Sequence, residues 1–105
     1  MRYRRLKRTG LKTSVLACGS HIPELSQDQC NVMYNYALDK GINTIITNTA
    51  YLVAEDKIYK AIGQRRDEFN LSIGTDHRSA HLAEKDVNNS LKKFSISREC
   101  LYVSF

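Results

Sequence analysis

The chain has 105 residues, of which 42% are apolar and 26% are charged, and it carries a formal net charge of +5. A chain of this length is expected to form one small domain, residues 1–105, that buries roughly two-thirds of its unfolded surface. The apolar runs fall short of the roughly 18 residues that a membrane-spanning helix needs, and the basic N-terminus lacks the apolar stretch of a secretory signal.

The cysteines and histidines disfavour a disulfide scaffold and a metal site. Cys18, Cys30 and Cys100 are widely spaced and odd in number, which favours free thiols in a reducing compartment such as the cytoplasm. His77 and His81 lie four residues apart, but they flank a predicted helix start. Solvated loop histidines are therefore favoured over metal ligands.

The excess positive charge is confined to the N-terminus. Residues 1–12 hold six basic side chains and no acid, whereas the other 93 residues hold ten basic and eleven acidic side chains. A basic arm of this kind can contact nucleic acid. The favoured alternative is a solvated hairpin, because no recognition helix or aromatic stacking pattern accompanies the charge.

The first predicted element is a β-hairpin over residues 1–14. Basic residues alternate with Tyr3 and Leu6, and Thr9-Gly10 supplies the turn. A hairpin in this position is expected to close one end of the sheet that follows it.

Four short apolar runs follow at regular intervals. They begin at positions 15, 44, 71 and 100, and each has the length of a strand. Helical periodicity fills the three intervals. Strands separated by helices form βαβ units, so residues 15–105 are predicted to follow the order β-α-β-α-β-α-β with four parallel strands and three helices.

The three predicted helices have apolar faces and defined ends. Ser26 and Gln29 form a capping box before the first helix, and the third helix is predicted to begin near Ser79. Gly41 and Gly63 are predicted to end the first and second helices in the left-handed conformation. The core-facing stripes are Cys30, Met33, Tyr34, Ala37 and Leu38, then Ala54, Ile58, Ala61 and Ile62, then Ala80, Ala83, Val87, Leu91 and Phe94.

Candidate site residues follow the strands, where parallel α/β folds place their chemistry. Gly19-Ser20 follows the first strand but is neither a dinucleotide fingerprint nor a phosphate loop. Asp76 and His77 follow the third, but adjacent residues on an extended loop point apart. Tyr51, beyond the second strand, is the best catalytic candidate, because a phenol can donate a proton when a nearby ammonium group assists. The alternative is that Tyr51 simply packs.

Several stretches resemble the N-terminal part of the aldo-keto reductases, especially the microbial kind: MRYRRLKRTGLKTSVLACGS, YALDKGINTIITNTAYLVAEDKIYKAIG, RRDEFNLSIGT and SLKKFSISRECLYVSF. The resemblance implies an N-terminal β-hairpin followed by about half of a (β/α)8 TIM barrel. It also implies carbonyl reduction by hydride from NADPH or NADH, with a tyrosine as proton donor assisted by a lysine, an aspartate and a histidine. By this resemblance, Tyr51 is the catalytic tyrosine, and Gly19 and Ser20 form a cofactor-binding turn beside the nicotinamide.

Three of the four catalytic positions depart from the family pattern. The positions of the aspartate, the lysine and the histidine hold Ile46, Gly74 and Phe105, and the glycine that usually follows the tyrosine is Leu52. General acid–base assistance typically supplies about 10²- to 10⁴-fold in rate, so these substitutions predict a degenerate active site.

The sequence therefore predicts an aldo-keto reductase-like protein that is truncated and inactive alone, with cofactor binding in doubt. A whole barrel of this kind needs about 250 residues. The alternative is an interaction module, a half-barrel that forms a homodimer or is completed by a partner chain. An active reductase and a nucleic-acid-binding basic arm are the weaker interpretations.

Overall fold

The computed structural model describes residues 1–51 and 53–94, apart from the side chains of residues 93 and 94. The elements in chain order are β1 (Tyr3–Leu6), β2 (Leu11–Ser14), α1 (Gln27–Asp39), β3 (Thr44–Asn48), α2 (Ala54–Ile62), β4 (Asn70–Gly74) and α3 (Ala80–Phe94). Segments of 3-10 helix span Lys7–Thr9 and Gly63–Glu68. Among the described residues, no helix has both the length and the apolarity to cross a membrane.

The predicted N-terminal hairpin is present. β1 and β2 pair antiparallel, with Tyr3 opposite Ser14 and Leu6 opposite Leu11. The turn between them ends at Gly10, whose φ of +70° lies in the region that glycine adopts without steric cost. The hydroxyl of Thr9 donates to the carbonyl of Leu6 at 2.6 Å and closes the turn.

The parallel sheet is smaller in the described residues than the four predicted strands. β3 and β4 pair in parallel, from Thr44 beside Asn70 to Asn48 beside Gly74. Cys18 forms an isolated parallel bridge with Ile45 on the other side of β3. The predicted fourth strand, near residues 100–103, lies outside the described residues.

The prediction of a full parallel strand over residues 15–18 is wrong. Val15 and Leu16 are 48% and 56% exposed, and in this segment only Cys18 bonds to β3. The backbone N–H of Val15 donates to Arg2 and so extends the hairpin. The hydroxyl of Ser14 then donates to the carbonyl of Leu16 at 2.5 Å and holds the chain in a bend. The chain therefore reaches the sheet only at Cys18.

Helix α1 begins and ends as predicted. The Ser26 hydroxyl accepts from the backbone N–H of Gln29 at 3.2 Å, and the Gln29 side chain accepts from the N–H of Ser26 at 2.9 Å. Gly41 follows the helix with a φ of +93°. A Cβ atom there would also lie 2.7 Å from the Tyr3 hydroxyl. Glycine is therefore required at this position by both conformation and space.

The predicted left-handed Gly63 is wrong. Its φ of −57° and ψ of −32° are right-handed, and the chain continues into the 3-10 segment instead of turning away. A Cβ atom on Gly63 would lie 3.0 Å from the ring of Tyr59. Glycine at this position makes room for that ring.

The core lies between helices α1 and α2 and one face of the β3–β4 sheet. Its buried members are Cys30, Tyr34, Leu38, Ile45, Ile58, Ile62, Phe69, Leu71 and Ile73. Each large apolar side chain buried in this way contributes roughly 1.5–3 kcal/mol. Side chains alternate along a strand, so the opposite face carries Thr44, Ile46, Asn48, Asn70 and Ser72. We call this second surface the open face, because Ile46 is 47% exposed on it.

The hairpin is fixed against the N-terminal ends of β3 and β4. The side-chain amide of Asn43 donates to the carbonyl of Lys12 at 2.9 Å, and that of Asn70 donates to the same carbonyl at 3.1 Å. The hydroxyl of Tyr3 donates to the carbonyl of Gly41 at 2.8 Å. The hairpin thus covers one end of the sheet and leaves the C-terminal ends of the strands free for a site.

Candidate functional site

Two cavities lie at the C-terminal end of the sheet. The larger, of about 480 Å³, lies between the loop after Cys18 and the start of the loop after β3, and its lining includes Gly19, Ser20, Ile46 and Tyr51. The smaller, of about 160 Å³, extends from Ser20 and Tyr51 toward the first turn of α2. The structure therefore brings the three site residues predicted from sequence, Gly19, Ser20 and Tyr51, around one cavity.

Tyr51 is held in place by its backbone and by one ring contact. Its N–H donates to the carbonyl of Asn48 at 2.9 Å, and its carbonyl accepts from the N–H of Ala54 at 2.7 Å. The imidazole of His21 lies against its ring, with centroids 4.6 Å apart and planes tilted by 40°. Among the described residues, no side chain forms a hydrogen bond with the Tyr51 hydroxyl. Within residues 1–51 and 53–94, the phenol is thus positioned without an acid or a base hydrogen-bonded to it.

The Gly19-Ser20 turn is supported from α1. The hydroxyl of Tyr34 donates to the carbonyl of Gly19 at 3.4 Å. Burial raises the pKa of Tyr34 far above that of an ordinary phenol, so the group stays a neutral donor. The Ser20 side chain is buried, and its Oγ has no hydrogen-bond partner in the described part of the chain.

Two of the positions at which the family resemblance predicts a catalytic side chain lie on the open face. Ile46 is paired with Ser72, and Gly74 is paired with Asn48, so residues 46 and 74 point to the same side of the sheet. Ile46 also lines the larger cavity. It places an alkyl group where the family resemblance expects a carboxylate. Phe105 and Leu52 lie outside the described residues.

The ammonium group beside the smaller cavity is already engaged. Lys57 is the one lysine or arginine among the described residues that line the two cavities. Its Nζ donates to the carbonyl of Leu25 at 2.7 Å. This hydrogen bond connects α2 to the loop before α1, and it holds the ammonium group at the Leu25 carbonyl.

Asp86 connects three polar side chains near the C-terminal ends of β3 and β4, and no sequence motif indicated this role. Its Oδ2 accepts from the hydroxyls of Thr75, at 2.9 Å, and Thr49, at 3.1 Å, and lies 3.5 Å from Nε2 of His77. Asp86 therefore ties α3 to the loops that follow β3 and β4. Local sequence carries no sign of this, because the two threonines lie 11 and 37 residues away along the chain.

The adjacent pair Asp76-His77 does not form a dyad. Asp76 accepts from the side-chain amide of Asn48 at 3.3 Å, whereas His77 lies beside Asp86. Within residues 1–51 and 53–94, no cluster of three histidine, cysteine, aspartate or glutamate side chains is arranged to hold a metal ion.

Two solved structures from Pseudomonas aeruginosa, both assigned by name to the aldo-keto reductases, are similar to this chain. The first has a TM-score of 0.79 and 26% identity, over 91% of this chain and 43% of its own. The second has a TM-score of 0.78 and 26% identity, over 91% of this chain and 42% of its own. No family model and no curated protein matches.

These matches show what the chain is similar to and how much of each matched chain the likeness covers. The chain spans less than half the length of the two structures that it matches. Its α/β fold corresponds to part of an aldo-keto reductase chain. The similarity thus confirms the resemblance predicted from sequence, and the chain is aldo-keto reductase-like.

Proposed function

We propose that this chain is an aldo-keto reductase-like protein that does not reduce carbonyl compounds on its own. The observation that supports this proposal is Ile46, which lines the cavity beside Tyr51 at the position of the family's aspartate. An alkyl side chain there cannot hold an ammonium group next to the phenol. A phenol has an ordinary pKa near 10 and donates a proton efficiently at neutral pH only with such help.

The neighbouring groups do not replace the missing helpers. Gly74 brings no side chain to the end of β4, and the ammonium of Lys57 is bound to the carbonyl of Leu25. His21 meets Tyr51 through a ring contact. Because acid–base assistance supplies about 10²- to 10⁴-fold in rate, its loss at both positions leaves little of the family's catalytic advantage.

The described residues do not fit a whole NADPH or NADH molecule, the cofactor that the family resemblance implies. Gly19 and Ser20 form a turn of the expected kind, but Ser20 Oγ is buried and a Cβ atom on Gly19 would meet no atom within 4 Å. A pyrophosphate needs cations or a cradle of backbone N–H groups, and Lys57 is engaged elsewhere. We infer that the chain does not retain the cofactor by itself.

The test is carbonyl reduction by the purified chain. NADPH oxidation is followed with a panel of aliphatic and aromatic aldehydes, and we expect no rate above that without protein. The variant carrying I46D, G74K and F105H restores the family's three side chains and is expected to remain inactive, because it gains no cofactor site. Turnover by the unmodified chain that disappears in Tyr51→Phe would overturn the proposal.

A second function, association into a completed barrel, is favoured by the open face. Ile46 is 47% exposed there, and in the described part of the chain β4 pairs with β3 alone. A second copy packed on this face would cover Ile46. Sedimentation velocity would then give a dimer mass, and Ile46→Glu is expected to return it to a monomer. A monomer at all concentrations, or a dimer unaffected by I46E, would exclude this face as the interface.

A further inference from the structure

The six basic residues of the hairpin form the most concentrated charge on the molecule. Their side chains are exposed, and no ion pair formed by the described residues involves any of them. The residues are Arg2, Arg4, Arg5, Lys7, Arg8 and Lys12. We call residues 1–14, which carry them, the basic hairpin.

Two of these charges oppose each other across the strands. Arg5 on β1 is paired directly with Lys12 on β2, so both side chains lie on the same face of the hairpin. Like charges in this position destabilise a strand pair. The ammonium of Lys12 also lies over the ring of Tyr3, 5.0 Å from its centroid, and this contact offsets part of the cost. An anion that binds between Arg5 and Lys12 would remove the remainder.

The charges are presented on a fixed ribbon. At its base, the Tyr3 hydroxyl is bound to Gly41 and the Lys12 carbonyl is bound to Asn43 and Asn70. The turn forms hydrogen bonds within itself, from Gly10 to Lys7 and from Thr9 to Leu6. A hairpin built in this way holds its cations at set spacings, which a disordered basic arm does not.

We propose that the basic hairpin binds the phosphate backbone of duplex DNA without reading its sequence. The major groove of B-form DNA is about 12 Å wide and admits a two-stranded β-ribbon. Duplex DNA also carries about one negative charge per 1.7 Å of its axis, a density that a cluster of cations neutralises effectively. The remaining 93 residues are almost balanced in charge, so they neither add to this attraction nor oppose it strongly.

An anionic membrane surface fits the hairpin less well. Stable membrane binding needs a sizeable apolar face beside the cations. The tip of the hairpin offers mainly the opposed pair Leu6 and Leu11, of which Leu6 is 44% exposed. Arg4, Arg5, Lys7 and Arg8 lie next to this pair in sequence, so its apolar surface is narrow. This proposal does not depend on the proposed lack of reductase activity.

The test is fluorescence anisotropy with a labelled duplex of about 20 base pairs over a salt series. We expect binding whose affinity falls by about 3.5-fold per phosphate contact between about 50 and 200 mM salt. Scrambling the duplex sequence should leave the affinity within about twofold, because backbone contacts carry no sequence information.

Matched triple variants locate the binding surface. Arg5→Gln, Lys7→Gln and Arg8→Gln neutralise the tip of the hairpin, whereas Lys60→Gln, Arg78→Gln and Lys85→Gln remove three exposed charges from the body. The hairpin variant should lose about 0.9 from the salt slope for each contact removed, and the body variant should keep the slope. Circular dichroism checks that both variants fold.

Three results would overturn the proposal. The first is an absence of binding at low salt, and the second is an equal loss of affinity in the two triple variants. The third is retention on vesicles that contain phosphatidylserine with no binding to the duplex, which would assign the hairpin to a membrane surface instead.

Discussion

The hairpin contacts at the N-terminal end of the β3–β4 sheet differ from the loops at its C-terminal end in how their polar groups are satisfied. At the N-terminal end, the side chain of Asn43 accepts from the N–H of Ser14 at 2.7 Å and donates to Lys12 at 2.9 Å, and the hydroxyl of Ser14 is bound on both sides. At the C-terminal end, Ser20 Oγ and the Tyr51 hydroxyl lack partners among the described residues, and two cavities lie beside them.

The comparison distinguishes polar groups that stabilise the fold from polar groups that are available for chemistry. Paired groups at the N-terminal end stabilise the hairpin and the strands that it covers. Unpaired groups and cavities at the C-terminal end cost stability, and this is the end at which parallel α/β folds carry out catalysis. In this chain Ile46 and Gly74 lie at that end, at the positions where the family resemblance predicts a carboxylate and an ammonium group.

The largest effect is expected at Asn43. Asn43→Ala removes the bonds to Ser14 and Lys12 and leaves a partly buried N–H without its acceptor, so the free energy of unfolding should fall by about 3 kcal/mol. Urea denaturation followed by circular dichroism measures the loss. The exposed Asn89→Ala is the control and should change stability by less than about 0.5 kcal/mol. Similar values for the two variants would remove the distinction between the ends.

The next effect concerns Asp86, the paired exception at the C-terminal end. Asp86→Ala leaves the hydroxyls of Thr49 and Thr75 without their acceptor and should cost about 2 kcal/mol. Asp86→Asn keeps an oxygen acceptor and should cost about half as much. The same denaturation experiment compares the two variants, and a loss below about 0.5 kcal/mol in Asp86→Ala would show that α3 is held without this carboxylate.

Local sequence patterns predicted the features whose partners are close along the chain. Ser26 and Gln29 are three residues apart, and both halves of their capping box are present. Gly41 lies two residues after the end of α1, and its left-handed conformation was predicted correctly. The convergence of Gly19, Ser20 and Tyr51 followed from the rule that parallel strands place their C-terminal ends together.

Three features could not be predicted from residue types and their spacing. The run from Val15 to Cys18 has the composition of a strand, but the hairpin before it bends the chain away. Glycine is typical of the left-handed residue that ends a helix, but Gly63 is right-handed and makes room for the ring of Tyr59. Asp86 meets its threonine partners only after the strands and helices have assembled. Of the three, Asp86 depends on contacts between distant parts of the chain, whereas residues 15–18 and Gly63 depend on nearby contacts that residue type alone does not indicate.

Replacing two serines that are almost equally buried should change the free energy of unfolding in opposite directions, and the gain at Ser20 is smaller than the losses above. Ser20 and Ser14 are 5% and 7% exposed. Ser20→Ala removes a hydroxyl that lacks a partner in the described residues and should raise the free energy of unfolding by about 0.5–1 kcal/mol. Ser14→Ala breaks two hydrogen bonds and should lower it by about 2 kcal/mol. Destabilisation by Ser20→Ala would mean that the Ser20 hydroxyl makes a stabilising hydrogen bond, as the Ser14 hydroxyl does.

The smallest effect is expected at Tyr51. Tyr51→Phe keeps the ring against His21 and removes a hydroxyl without a partner in the described part of the chain, so stability should change by less than about 0.5 kcal/mol. Thermal and urea denaturation measure it. A loss above about 1 kcal/mol would show that the hydroxyl has a structural role.

The most direct test of the central claim is hydride transfer itself. The purified chain is incubated with an aldehyde and NADPH that carries deuterium at both C4 positions, and the alcohol product is analysed by mass spectrometry. An alkyl group at position 46 and the lack of a side chain at position 74 predict no deuterated alcohol above the protein-free control. Deuterated alcohol that is formed by the chain and lost in Tyr51→Phe would contradict the account.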